Sequence, residues 1–236
     1  MGIVIDVIAF DGDDTLWHNE TVYAQAEKRF EELLAPYGGD DEVVDALFET
    51  EMANLPTYGY GLKSFALSMI ETAIRVTNGR IKGWDIQQII DLLKEMKQTP
   101  VQLLDNVMEV IPALAKSHTL MLVTKGDLFD QETKITRSGL APYFAYVEIV
   151  ADKTPDVYRA LLEKHQIDPQ RCLMVGNSLR SDILPVVAVG AHAVHIPYHV
   201  TWAHEAVTLQ PGETGGYVEL EHIGLLPHLL TSFATG

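Results

Sequence analysis

The sequence predicts an α/β fold, a doubly wound parallel sheet with an inserted α-helical bundle, and three observations predict it. Short apolar runs rich in β-branched residues alternate with helical patterns at the start of the chain and throughout its second half. Between them, from about Trp17 to about Gln98, helical periodicity is continuous. At 236 residues with 47% hydrophobic content, the chain is long enough to bury a sizeable core.

The first run, Ile3 to Phe10, is too short to span a membrane and reads as a buried strand. It closes on Asp11-Gly12-Asp13-Asp14-Thr15. Three carboxylates at the end of an apolar strand repel one another unless protons or a cation lie between them. Mg²⁺ suits such a place, because it prefers oxygen ligands and keeps several waters. The bland alternative is an acidic turn in which Asp14 or Thr15 caps a helix.

Four helical stripes follow. Val22, Ala26, Phe30, Leu33 and Leu34 share one face; Val43, Val44, Leu47 and Phe48 form a weaker one. Leu62, Phe65, Ala66, Met69, Ile70, Ala73 and Ile74 make a third, and Ile86, Ile89, Ile90, Leu93 and Met96 a fourth. Breaks at 36–39, 55–61 and 78–79 connect them into a bundle. The break Thr57-Tyr58-Gly59-Tyr60-Gly61 puts two aromatics on a flexible connection, where they either cover a sugar or base or pack between helices.

A helix over roughly 103–116 leads into strands at 120–123, 147–150, 172–175 and 193–196. In a doubly wound sheet, ligands bind beyond the carboxyl ends of the strands. The residues there are Asp11, then Thr124-Lys125-Gly126-Asp127, Asp152-Lys153 and Gly176-Asn177-Ser178. Thr124 offers a hydroxyl to phosphate oxygens or caps the next helix. Lys153 precedes Thr154-Pro155-Asp156, which reads as an N-cap, a proline at the first helical position and an acidic first turn. Asp182 either belongs to the site or complements a helix dipole. His195, His199, Trp202 and His204 match no zinc spacing and read as packing or surface residues. Pro211 to Gly216 forms a Gly-rich loop before an edge strand at 217–220 and a final apolar helix.

Taken in order, Asp11/Asp13, Thr124, Lys153-Thr154-Pro155 and Gly176-Asn177-Ser178 through Asp182 resemble the motif set of the haloacid dehalogenase-like (HAD) hydrolase superfamily, in its phosphatase form. The resemblance covers nearly the whole chain. It implies a Rossmann-like catalytic core over 1–16 and 100–236, with a helical cap domain over 17–99. It also implies Mg²⁺-dependent hydrolysis of a small phosphorylated metabolite. In that scheme Asp11 is the nucleophile and Asp13 the general acid and base, with Thr124 and Lys153 neutralising the phosphoryl oxygens. The implied metal ligands are Asp11, Asp13 through its carbonyl, Asn177 and Asp182, and Tyr58 and Tyr60 of the cap are candidates for substrate contact. Dehalogenases lack the second aspartate, which places this chain on the phosphatase side. Two positions depart from the pattern. Asn177 stands where an aspartate is common, so either it binds weakly or Asp182 takes the larger share. Lys125 stands where asparagine is frequent, and it contacts the phosphate or faces solvent. A sugar phosphomutase and a non-catalytic acidic interaction module are the alternatives.

Charge and cysteine content narrow the class further. With 17 Lys and Arg against 33 Asp and Glu, the net charge of −16 repels nucleic-acid polymers. The lone Cys172 forms no intrachain disulfide and fits a reducing cytoplasm. No basic leader precedes the first apolar run and no run spans a bilayer, so neither membrane nor secretion is expected. No periodic exposed seam specifies an oligomer.

Overall fold

The computed structural model describes residues 2–38, 43–200, 202–205, 207 and 216–235, with side chains described to residue 233. Six strands form one parallel sheet: β1 (Val7–Phe10), β2 (Thr119–Lys125), β3 (Tyr146–Val150), β4 (Cys172–Gly176), β5 (His192–His195) and β6 (Tyr217–Glu219). Their order is β3-β2-β1-β4-β5-β6, so the winding reverses between β1 and β4. That reversal opens a crevice at the carboxyl ends of the two strands. In register, Phe10 faces Leu122 on one side and Val175 on the other. Asp11 therefore emerges at the centre of the sheet, its N–H donating to the Val175 carbonyl at 2.9 Å.

The helices are α1 (Glu20–Leu34), α2 (Val43–Tyr58), α3 (Leu62–Val76), α4 (Gly83–Gln98), α5 (Val107–Leu114), α6 (Leu128–Ser138), α7 (Pro155–Lys164), α8 (Leu184–Ala188) and α9 (Leu226–Thr235). Strand alternation sorts the core into two layers. Ile8, Phe10, Leu120, Leu122, Leu173 and Val175 pack with Val107, Val110 and Ile111 of α5 and Leu226 of α9. Val7, Ala9, Met121, Val123 and Met174 pack with Tyr158, Leu161 and Leu162 of α7 and Val186 of α8. Because both faces are covered at the centre of the sheet, β1 and β4 are buried and apolar throughout rather than alternating.

The chain divides into two compact units. One comprises 1–20, 101–125 and 133–236 and holds the sheet; the other comprises 21–100 and 126–132 and is helical. The helical unit has its own core, built from Ala26, Phe30 and Leu34 of α1, Val43 and Leu47 of α2, Phe65, Met69 and Ala73 of α3, and Ile89, Leu92, Leu93 and Met96 of α4. These are the faces that the 3.6-residue period marks in the sequence. The segment 126–132 is bound within the helical unit by Lys63–Asp127 at 2.7 Å and Lys97–Asp130 at 2.8 Å.

Several boundaries differ from the sequence expectation. The first strand starts at Val7, and residues 3–6 lie outside it. The helix expected over 103–116 spans Val107–Leu114, opening behind Asn106, which takes a left-handed φ of 66°. Of the Gly-rich loop expected over 211–216, residues 211–215 lie outside the described residues, as does Gly39 of the first interhelical break. Among the described residues no helix is long and apolar enough to cross a membrane.

Candidate functional site

The site begins with a tight turn. The Leu16 N–H donates to the Gly12 carbonyl at 2.8 Å and the Asp14 N–H to the Trp17 carbonyl at 2.7 Å. Gly12 is needed because a β-carbon there would lie 2.5 Å from the Trp17 ring. Asp14, at φ 60°, turns outward from the site, and its carboxylate accepts the N–H groups of Asn19 (2.8 Å) and Glu20 (3.0 Å) at the start of α1. It acts as the cap of that helix.

Asp11 is buried. Its Oδ1 accepts from Lys153 Nζ at 2.5 Å and its Oδ2 from Thr15 Oγ1 at 3.2 Å. Lys153 also donates to Asp182 Oδ1 at 2.6 Å. Two buried carboxylates thus share one ammonium, leaving one excess negative charge. Burial raises the Asp11 pKa to about 7, with Asp182 adding to the effect and Lys153 opposing it. For Lys153, burial disfavours the charge, but Asp11 and Asp182 outweigh it and hold the pKa well above the ordinary value. The two shifts have different origins: burial for Asp11, and the two surrounding carboxylates for Lys153.

Lys153 reaches Asp11 from the loop after β3, anchored by the helix behind it. Thr154 caps α7, its Oγ1 accepting the Val157 N–H at 3.3 Å, and Pro155 takes the first helical position. Asp182 sits in a π-helical turn, Leu179–Ile183, with its Oδ2 accepting the Ser178 N–H at 3.0 Å. It packs so tightly on Gly176 that a β-carbon there would lie 2.3 Å from the Asp182 carboxyl. Thr124, next to last in β2, is buried, and its hydroxyl has no hydrogen-bond partner among the described residues. An unsatisfied buried hydroxyl costs about 1–3 kcal/mol unless a ligand oxygen meets it.

Asp13 lies half-buried in the same unit. Its Oδ1 accepts from Trp17 Nε1 at 2.6 Å and from Lys134 Nζ at 2.8 Å, and its Oδ2 from Lys134 at 2.9 Å. Lys134 also donates to Asn19 Oδ1 at 2.6 Å. No local pattern on α6 distinguishes Lys134 in the sequence, since its partner Asp13 lies 121 positions earlier. The sequence pattern suggests a packing or surface role for His195. It is buried and does more than pack, because its Nε2 donates to the Asn177 carbonyl at 3.0 Å while Nδ1 meets Glu219 at 3.0 Å.

Over residues 5–190 the chain matches the family model described as haloacid dehalogenase-like hydrolase. The chain belongs to the haloacid dehalogenase-like hydrolases. A family hydrolase from Xanthomonas campestris is 37% identical, with a TM-score of 0.87 over 98% of this chain and 93% of that one. The magnesium-bound putative HAD-hydrolase YfnB from Bacillus subtilis is 17% identical, with a TM-score of 0.68 over 97% and 99%. A 2-haloacid dehalogenase from Pseudomonas syringae pv. Tomato is 21% identical, with a TM-score of 0.66 over 98% and 100%. Further structural matches include both dehalogenases and phosphatases. A comparison with curated proteins finds no match.

Magnesium is common in HAD hydrolases, and the donor set here fits it. The inner end of the Asn177 amide stands 3.2 Å from Thr15 Oγ1 and 3.3 Å from both Asp11 Oδ2 and the Asp13 carbonyl oxygen. With nitrogen at that end, the amide donates to these oxygens. With oxygen there, it accepts from the Thr15 hydroxyl and faces the Asp11 and Asp13 oxygens, an all-oxygen set of the kind Mg²⁺ prefers. Adjacent ligands of octahedral Mg²⁺ stand about 3 Å apart, close to this spacing. Asp182, the other candidate ligand, has both oxygens engaged, by Lys153 and by the Ser178 amide. Among the described residues no trio of His, Cys, Asp or Glu gathers as a metal group. The remaining expected substrate residues are Lys125, which directly follows Thr124 in β2, and Tyr58 and Tyr60. Lys125 pairs with Glu205 and Ser181, while Tyr58 and Tyr60 belong to the helical unit, Tyr58 half exposed at the end of α2.

Proposed function

We propose that this HAD hydrolase is a Mg²⁺-dependent phosphomonoesterase acting on a small phosphorylated metabolite, with 1–16 and 100–236 as catalytic core and 17–99 as a specificity cap. The observation that carries the reading is the contact of Asp11 with Lys153 and with the Asn177 amide, which also meets the Asp13 carbonyl, together with the buried Thr124 hydroxyl near the end of the neighbouring strand, which finds no partner among the described residues. Attack on phosphorus by a carboxylate needs the phosphoryl oxygens neutralised, because nucleophile and target are both anionic. Bound Mg²⁺, held by Asp11, Asn177 and the Asp13 carbonyl, would supply charge neutralisation.

The chain's own residues do the rest. Lys153 and Thr124 donate to phosphoryl oxygens. An oxygen of Asp11 bonds to phosphorus as the phosphorus–oxygen bond to the leaving group breaks, giving an aspartyl-phosphate. Asp13, protonated, gives its proton to the departing alcohol oxygen. As carboxylate it then takes a proton from water, whose oxygen bonds to phosphorus and frees inorganic phosphate and Asp11. The second aspartate favours this over dehalogenation, in which no alcohol leaves.

A panel of phosphorylated metabolites, scored for released phosphate, tests the reading, with 2-haloacids scored for released halide in parallel. Hydrolysis that requires Mg²⁺, stops in chelator and falls at least about a thousandfold in Asp11→Asn is expected. Halide release without phosphate release, or full activity in Asp11→Asn, would overturn it.

A further inference from the structure

Lys125 closes β2 directly behind Thr124 and directs its ammonium to the turn after β4. Its Nζ lies 2.9 Å from Ser181 Oγ and against the Glu205 carboxylate. Glu205 ends a short 3-10 turn, Ala203–Glu205, in the long connection between β5 and β6. Its second oxygen accepts from Ser181 Oγ at 2.6 Å and from the Ser178 hydroxyl. The Arg180 guanidinium donates to the His204 carbonyl at 2.6 Å, tying the backbone of the same turn. Both ions are largely withdrawn from solvent, with side chains 16% and 13% exposed. Burial raises the Glu205 pKa, but Lys125 and the two serines outweigh it and bring it down to about 2, so Glu205 is a carboxylate near neutral pH.

The network adjoins the reaction centre. Ser181 precedes Asp182, which holds Lys153, which holds Asp11. Three lysines of this unit pair with carboxylates around the strand ends: Lys153 with Asp11 and Asp182, Lys134 with Asp13, and Lys125 with Glu205. In the first two pairs a carboxylate belongs to the proposed chemistry. Glu205 has no part in it, and it comes from a segment outside the motifs. Its electrostatic effect is to cancel a positive charge beside a site for anions.

We propose that Glu205 is a specificity-determining residue: an internal counter-ion to Lys125 that limits how tightly the phosphoryl site holds anions. The inference rests on the phosphatase reading and deepens it. Inorganic phosphate, the product, leaves a site whose second lysine is already neutralised, and esters bearing a second phosphate gain no additional cation from Lys125.

Binding of inorganic phosphate to the Mg²⁺-loaded protein, followed by titration calorimetry, tests this without turnover. Removing one charge a few ångströms from a bound dianion in a partly buried site changes its affinity by about tenfold. Glu205→Gln is expected to bind phosphate about tenfold tighter than wild type. Lys125→Met is expected to bind about tenfold weaker, and the double variant to return to wild-type affinity. A structural defect lowers affinity and cannot produce the gain. Should Glu205→Gln alone fail to fold, recovery of affinity in the double variant relative to Lys125→Met carries the same test. Unchanged or weaker phosphate binding in Glu205→Gln, or a double variant as weak as Lys125→Met, overturns the inference. Ester hydrolysis in wild type alongside either result leaves the phosphatase reading standing; no phosphate binding in any variant, together with no ester hydrolysis, removes both.

Discussion

Gly176 shows how much of this site depends on single atoms. A methyl group at that position would lie 2.3–2.4 Å from three atoms of Asp182, and so must push that carboxylate off Lys153. Gly176→Ala is expected to cost about 1–3 kcal/mol through overpacking, and to reduce kcat/KM through the displaced Lys153. Denaturant midpoints and steady-state rates measure both, and a variant as stable and active as wild type would contradict the packing. Cys172 is buried in the same strand, and burial pushes its thiol up to about 12. Native protein should therefore leave Cys172 unreacted with a thiol reagent that labels it promptly after unfolding. At this scale the sequence was readable where a motif fixed the spacing. Asp11, Lys153, Asn177 and Asp182 lie together, 142 positions separating Asp11 from Lys153. Lys134, Glu205 and His195 were not readable, because each acts through a partner far away in the chain and no local pattern distinguishes it from a solvated or packed residue.

Elements position these residues by where they stop. β1 ends at Phe10 and α7 begins at Pro155, so Asp11 and Lys153 each stand one or two residues outside a rigid element. Thr154→Ala removes the cap of α7 and should lower stability by about 1 kcal/mol, read from urea unfolding. Its rate loss should exceed that of a cap removed elsewhere, because Lys153 is the adjoining residue. The connection bearing Glu205 makes a pH-dependent contribution. Its folded pKa of about 2 lies below the ordinary 4.5, so the stability it supplies is complete above about pH 4.5 and is lost as the pH falls toward 2. The shift corresponds to about 3 kcal/mol as an upper figure. Melting temperatures of wild type and Glu205→Gln should differ at neutral pH and converge near pH 2; parallel curves would contradict the ion pair. The strands and the four long helices were legible from period and composition, since each buries a continuous run or a single stripe. The start of β1 was not, because Ile3, Val4 and Ile5 extend the apolar composition beyond the last rung that β2 and β4 provide.

The molecule as a whole carries a net charge of −16 and gathers buried negative charge at the centre of its sheet. A divalent cation that binds the folded state alone should stabilise it by about 2.7 kcal/mol at a hundredfold excess over its Kd. Magnesium should therefore raise the melting temperature of wild type, chelator should reverse the rise, and Asp11→Asn should abolish most of it. The order of strands around β1 followed from the α/β alternation only as a class. The particular reversal between β1 and β4, which puts Asp11 beside the turn after β4, depends on long-range pairing that periodicity does not encode. Attack on phosphorus by Asp11 is the step on which the proposed function depends. Rapid acid quench during turnover of a phosphate ester with Mg²⁺, followed by mass analysis of the peptide bearing Asp11, tests it most directly. A phosphoryl group on Asp11 is the predicted result; an unmodified peptide throughout steady phosphate release, with Asp11→Asn still active, would contradict it.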